Sequence, residues 1–287
     1  MQFNCGQHQL DLSTPKVMGI INVTPDSFSD GGKFSQTSLA FAHALKLIKD
    51  GASILDIGGE STRPNATPVS LQEELDRVIP VIEKLVEHFN QNKQISIPIS
   101  IDTYKPQVMQ AAIQAGVSMV NDVRALQEGA GSNKSALQIV ANSNVGVCLM
   151  HMQGSPLTMQ QNPQYSDVLS EVKAFLKARL QASIDAGCRA SNILLDPGFG
   201  FGKTREHNIR LLHNLESFAD LGQPLLVGLS RKSVLGQVTG NDVDARLYSS
   251  IAASVIAAMK GAKILRVHDV KATVEALNVV AAVQKKI

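Results

Sequence analysis

The chain has 287 residues, 27 basic and 25 acidic, for a net charge of +2; 44% are hydrophobic, only 4% are aromatic, and none is tryptophan. The apolar share excludes disorder as the main state, and the near balance of charge excludes a dedicated nucleic-acid or membrane-surface binder. An aliphatic core favours buried parallel strands under helices, and the length suits one α/β barrel, typically about 250 residues.

In chain order, residues 1–16 form a short N-terminal extension with no basic segment leading into an apolar one, so no secretory signal is expected and a cytoplasmic setting is. Eight short apolar runs follow: VMGIIN (17–22), SILDIG (53–58), PISIDT (98–103), SMVND (118–122), VGVCLMH (145–151), NILLDP (192–197), PLLVGLS (224–230) and KILRVH (263–268). Helical spacing connects them, with Leu39, Ala42, Leu45 and Ile48 over 37–50 and Leu71, Leu75, Val78, Ile82 and Leu85 over 71–89. Gly51, Gly116, Gly187 and Gly261 stand just past such stretches, where left-handed caps end helices. Eight strand–helix units predict an α/β fold, a single (β/α)8 TIM barrel over 1–287, with a doubly wound open sheet as the alternative.

Each run starts apolar and ends polar, in Asn22, Asp56, Asp102, Asn121, His151, Asp196, Ser230, and Arg266 with His268. In a parallel barrel these are the C-terminal strand ends, which converge on one face and carry the active site. Asp and Asn also cap helices, so each residue alone has a structural use as well. The polar, glycine-containing stretches 22–36 and 59–70 read as mobile active-site loops. Arg63 offers a fork for phosphate or a surface charge in a turn. DPGFGFGKT (196–204) is not a phosphate-binding P-loop, because Pro197 stands where that motif needs its first glycine; it reads as a flexible apolar wall of Phe199 and Phe201 beside Asp196. GLSRKS (228–233) leads into a helix whose N-terminus suits an anion. The three cysteines are odd in number and widely spaced, so neither a disulfide framework nor a zinc site is expected. Any metal would be Mg2+ carried by a phosphate ligand. Histidines 8, 43, 88, 207 and 213 are scattered and read as structural.

Taken together, GIINVTPDSFSDGG, DIGGESTRP, ISIDT, VNDVR, VCLMHMQG, LLDPGFGFGK, LLVGLSRKS and LRVHDV, in this order, resemble the dihydropteroate synthase family over nearly the whole chain. The resemblance implies condensation of 6-hydroxymethyl-7,8-dihydropterin diphosphate with p-aminobenzoate by SN1-like loss of diphosphate. It implies a pterin pocket of Asp102, Asn121, Met150, Asp196, Phe201, Gly228, Lys232 and Arg266. Asn22, Thr62, Arg63, Arg266 and His268 would take the diphosphate, with Mg2+ on Asn22. Phe28, Thr62, Arg63, Pro64, Phe201, Ser230, Lys232 and Ser233 would hold p-aminobenzoate, the site where sulfonamides compete. Asp102, Lys232, Arg266 and Asn22 would carry the chemistry.

A homodimer is also implied, and the apolar stretch 251–259 suits an interface or packing on the barrel. Asn65 replaces the family's usual glycine, and 128–136 is longer than usual. Two other readings use the same barrel: a Schiff-base aldolase on Lys232, or a non-catalytic or methyltransferase-type pterin-binding module. The latter needs neither the diphosphate residues nor the p-aminobenzoate residues present here.

Overall fold

The computed structural model describes residues 1–24, 33–61, 66–92, 94, 96–132 and 134–284, with backbone only for 33–35. The chain opens with an antiparallel hairpin, β1 (Gln2–Cys5) and β2 (His8–Asp11), in the register Gln2↔Asp11 to Cys5↔His8. Strands and helices then alternate: β3 (Lys16–Asn22), α1 (Lys33–Lys49), β4 (Ile54–Gly58), α2 (Leu71–Gln91), β5 (Ile99–Asp102), α3 (Pro106–Ala115), β6 (Met119–Asp122), α4 (Ala136–Ala141), β7 (Gly146–Met150) and α5 (Val168–Asp185). They continue as β8 (Ile193–Asp196), α6 (Arg205–His213), β9 (Leu225–Val227), α7 (Ser233–Thr239), α8 (Leu247–Met259), β10 (Ala262–Val267) and α9 (Val270–Gln284). The eight strands from β3 to β10 pair in parallel and close into a barrel, with β10 beside β3. The open-sheet alternative is thereby excluded.

Side-chain alternation along each strand divides the apolar residues into two sets. Val17, Ile21, Leu55, Ile57, Ile101, Val147, Leu195 and Val227 point outward and share one core with the inner faces of the helices. Met18, Ile54, Met119, Cys148, Leu194, Leu226 and Ile264 point inward and form a second core with Phe3, Cys5 and Leu12 of the N-terminal extension. The extension is therefore a plug that seals the barrel at the N-terminal ends of its strands. Gly146 is obligatory here, because a Cβ would lie 2.5 Å from the Phe3 ring and 2.8 Å from Cys5 Cβ. Phe3→Ala is expected to cost about 3–5 kcal/mol, seen as a lower denaturation midpoint, with both Michaelis constants unchanged because the mouth lies at the other end.

Two expectations are corrected. On α1 the buried face is Ala40, Ala44 and Leu47, while Leu39 and Ala42 are exposed. The 3.6-residue period was legible, but its phase is set by what the barrel wall offers. His151 follows β7 on the outward side, where its ring meets Phe175 edge-on and Tyr165, so it does not join the converging strand ends. The histidines read as structural include His207, which completes a capping box with Thr204 at the start of α6.

Candidate active site

The strand register sets the inward polar residues side by side. Gly58 is opposite Asp102, Asp102 opposite Asn121, and Met150 opposite Asp196. Arg266, from β10, reaches across this ring. Its Nε donates to Asp56 Oδ2 at 2.5 Å and its Nη2 to Asp102 Oδ2 at 2.6 Å. Asn121 Nδ2 also donates to Asp56 Oδ2, at 3.1 Å. Asp56 is wholly buried, and its Oδ1 has no hydrogen-bond partner among the described residues.

Burial pushes the Asp102 carboxyl up to about 7; Arg266 opposes this and the nearby Asp56 adds to it. Burial also works against the Arg266 charge, but Asp56 and Asp102 outweigh it and hold the guanidinium above the ordinary arginine range. Arg266 thus stays a cation while Asp102 titrates near neutrality.

The opposite wall is built by the segment after β8. Asp196 Oδ1 accepts from Gly198 N at 2.7 Å. Burial raises the Asp196 carboxyl, with Lys232 the largest opposing influence. Lys232 caps α7; its Nζ donates to Phe199 O at 2.5 Å and stands 4.5 Å above the Phe201 ring. Burial lowers this amine to about 8, with Asp196 pulling the other way. Met150 and Phe201 form an apolar patch with Val123 and Met159. Gly228 lies beside Arg266 and Lys232: a Cβ there would make ordinary contact, 3.8 Å from Arg266 Cβ and 3.9 Å from Lys232 Nζ. At the rim, Ser230 Oγ and His268 Nδ1 are 3.1 Å apart, and the His268 backbone N–H donates to the same hydroxyl at 3.2 Å. Ser233 begins α7 on the exposed side, and Asn22 ends β3 half-buried.

Two carboxylates, an amide and two cations around an apolar patch suit an aromatic heterocycle with several N–H donors and a carbonyl. The sequence pattern of the family "Pterin binding enzyme" matches residues 18–268. The Escherichia coli dihydropteroate synthase is 50% identical over 273 residues, covering 95% of this chain and 93% of that protein. The chain belongs to the dihydropteroate synthase family.

Among solved dihydropteroate synthases, one from Xanthomonas albilineans with 4-aminobenzoic acid superposes with a TM-score of 0.90 at 49% identity, covering 100% of this chain and 99% of the other. One from the same organism in complex with 7,8-dihydropteroate gives 0.88 at 46%, covering both chains fully.

Of the residues expected for a dihydropteroate synthase site, the barrel mouth brings together Asp102, Asn121, Met150, Asp196, Phe201, Gly228, Lys232 and Arg266, with Ser230 and His268 at the rim. Phe28, Thr62, Arg63 and Pro64 lie outside the described residues, as does Asn65, so loops 22–36 and 59–70 are seen only at their stems. At the second stem, Arg77 donates to Gly59 O at 2.7 Å and Lys105 pairs with Glu60 and Glu74.

Two residues were given no role from sequence, although Asp56 stood among the converging strand ends. Asp56 had the same signal as Asp102, a carboxylate at an inward strand end. Lys203 was set aside with the P-loop. The wall of 196–204 also differs from the flexible apolar one expected. Phe199 is buried in the core between barrel and helices, and only Phe201 faces the cleft.

Proposed function

We propose that the chain joins 6-hydroxymethyl-7,8-dihydropterin diphosphate to p-aminobenzoate, giving 7,8-dihydropteroate and diphosphate. The observation that carries this reading is Arg266 held between Asp56 and Asp102, facing Asp196 and Lys232 across an apolar floor. The likeness to proteins solved with 4-aminobenzoic acid and with 7,8-dihydropteroate supports it.

The pterin amide and amino N–H groups pair with Asp102 and Asp196, and its carbonyl with Lys232. Asn121 adds an amide contact, and Met150 and Phe201 line the ring. Arg266 lies against the ring face and, with His268, Arg63, Thr62 and Asn22, meets the diphosphate. The C–O bond to diphosphate breaks first, its electron pair leaving with the diphosphate, whose growing charge the cations stabilise. The electron-rich dihydropterin spreads the positive charge of the methylene, and ionised Asp102 stabilises it. The neutral arylamine then forms the C–N bond and loses one proton.

The p-aminobenzoate carboxylate lies near Ser233 and Ser230, with its ring against Phe28, Pro64, Lys232 and Phe201. The donor set fits Mg2+ carried by diphosphate, since Asn22 offers one neutral hard oxygen and such ions keep few protein ligands; bound there, the ion supplies charge to the leaving group.

Purified protein given the dihydropterin diphosphate, Mg2+ and p-aminobenzoate should release diphosphate and form dihydropteroate together. Tight pterin binding with no dihydropteroate would favour the pterin-binding module instead. The two titrating residues predict a bell in kcat/KM for the pterin substrate: a rise through about pH 7 as Asp102 ionises, then a fall above about pH 8 as Lys232 loses its proton. A pH titration in which Asp102→Asn keeps the acid limb would remove Asp102 from that role.

The same reading includes a homodimer. Tyr248, Ile256 and Met259 on α8 and Val279 and Val283 on α9 are exposed apolar side chains on neighbouring helices, and sedimentation would show whether they pair two copies. No helix among the described residues is long and apolar enough to cross a membrane. A cytoplasmic setting is part of the proposal.

A further inference from the structure

Lys203 is almost fully buried and forms no ion pair among the described residues. Its Nζ sits inside the turn that follows β8, 2.8 Å from Gly198 O, 3.0 Å from Phe201 O, 2.9 Å from His151 Nδ1 and 3.4 Å from His151 O. The three carbonyl oxygens can only accept, so the amine is the donor to each of them. The turn closes round it through left-handed glycines at 198, 200 and 202, with φ of +70°, +80° and +64°. A Cβ on Gly198 would lie 3.4 Å from Lys203 Nζ.

Two groups leave this turn towards the cleft. The N–H of Gly198, whose carbonyl Lys203 holds, donates to Asp196 Oδ1 at 2.7 Å. The carbonyl of Phe199 accepts from Lys232 Nζ at 2.5 Å, and the next side chain but one is the Phe201 ring beneath that amine. One buried amine thus organises the backbone that aims a carboxylate, an ammonium and an aromatic floor.

We propose that Lys203 is a positioning residue for the pterin half of the site: it gathers the carbonyls of the 197–202 turn and so sets the spacing between Asp196 and Lys232. Burial strongly lowers the proton affinity of Lys203, with Asp196 the main influence opposing that, so the amine acts through the hydrogen bonds it donates inside the turn. An apolar side chain of similar length would take this donor from the His151 and Phe201 carbonyls and leave Gly198 O only the Phe201 N–H, at 3.2 Å. The turn would then open, and Asp196 and Lys232 would move together. The p-aminobenzoate carboxylate's partners Ser230 and Ser233 take no bond from the turn, so that half of the site would feel the change only through Lys232 and Phe201. This rests on the assignment of the mouth as a dihydropterin site.

The test compares wild type, Lys203→Met, Lys203→Gln and Tyr165→Phe. Tyr165 donates to Gly202 O from outside the same turn, at 2.8 Å, so its loss loosens the turn without emptying its centre. Lys203→Met is expected to raise the KM for the dihydropterin diphosphate on the order of ten- to hundredfold. The KM for p-aminobenzoate, measured at saturating pterin, should rise at least about tenfold less, because only Lys232 and Phe201 are shared. Lys203→Gln, which still donates to carbonyls, should recover part of the loss, and Tyr165→Phe should leave both constants at wild-type values.

An equal rise in both constants, a wild-type pterin KM in the Met variant, or the same selective rise in Tyr165→Phe would each overturn the assignment. If the Met variant does not fold, the Gln variant is judged by the same selective rise; failure of both to fold would make Lys203 a residue of the fold alone. Wild-type protein that forms no dihydropteroate would count against the functional reading. Calorimetry of pterin binding to the same variants would still judge Lys203.

Discussion

Arg266→Leu is expected to lower kcat/KM by a factor on the order of 100–1,000 or more and to destabilise the fold by about 3–5 kcal/mol. Both effects follow from the position of the guanidinium between Asp56 and Asp102. Without it two carboxylates face each other at the mouth, and the buried Asp56 keeps only the amide of Asn121. The stability loss has a definite pH dependence. In the variant, burial and mutual repulsion raise the native carboxyl affinity for protons above that of the unfolded chain. The native state then binds more protons, so its stability increases as pH falls. The gap to wild type should narrow between pH 8 and pH 5 in urea unfolding. Arg266→Lys should regain part of the stability and little of the rate, because one ammonium cannot reproduce two parallel donors. A leucine variant with wild-type stability and turnover within tenfold would contradict this account.

Gly198→Ala should be as damaging for a different reason. The added Cβ would stand 1.8 Å from the carbonyl oxygen of His151 and 2.9 Å from its carbon, both backbone atoms that cannot swing aside. The φ of +70° adds left-handed strain of roughly 1–2 kcal/mol for any residue with a Cβ. Relief requires the turn to move, and the N–H that holds Asp196 moves with it. Pterin affinity is expected to drop beyond detection by calorimetry, or the protein to lose solubility. Gly187→Ala separates strain from collision. Its φ is +108°, yet no atom lies within 4 Å of the new Cβ. It should cost stability of similar size to the strain alone and leave both Michaelis constants intact. Equal behaviour of the two variants would show that the close approach to His151 does not matter.

The barrel was legible because apolar runs recur at a nearly constant spacing and end in polar residues on the inward register. Asp102, Asn121, Asp196 and Arg266 were readable for the same reason: period-two alternation sends their side chains inward. His151 shows where that logic fails. Position in a run fixes the face only when the phase is known, and His151 lies one residue beyond the inward Met150. Lys203 was misjudged because a motif test asks what a lysine binds outside its own loop, whereas here it binds the loop itself. The hairpin at 2–11 was not foreseen, since its short strands bury alternate residues only against a barrel floor that exists after folding. The loop residues Phe28, Arg63 and Pro64 lie between runs, where the period-two rule gives no face.

The plug formed by Phe3, Cys5 and Leu12 packs beneath inward side chains that fill the barrel, so no passage runs through it. All traffic passes one doorway. Groups bound against Asp102 and Asp196 share that doorway with anything resting on Ser230, His268 or Ser233. Entry and exit are thus confined to one face, at the opposite end of the barrel from the plug.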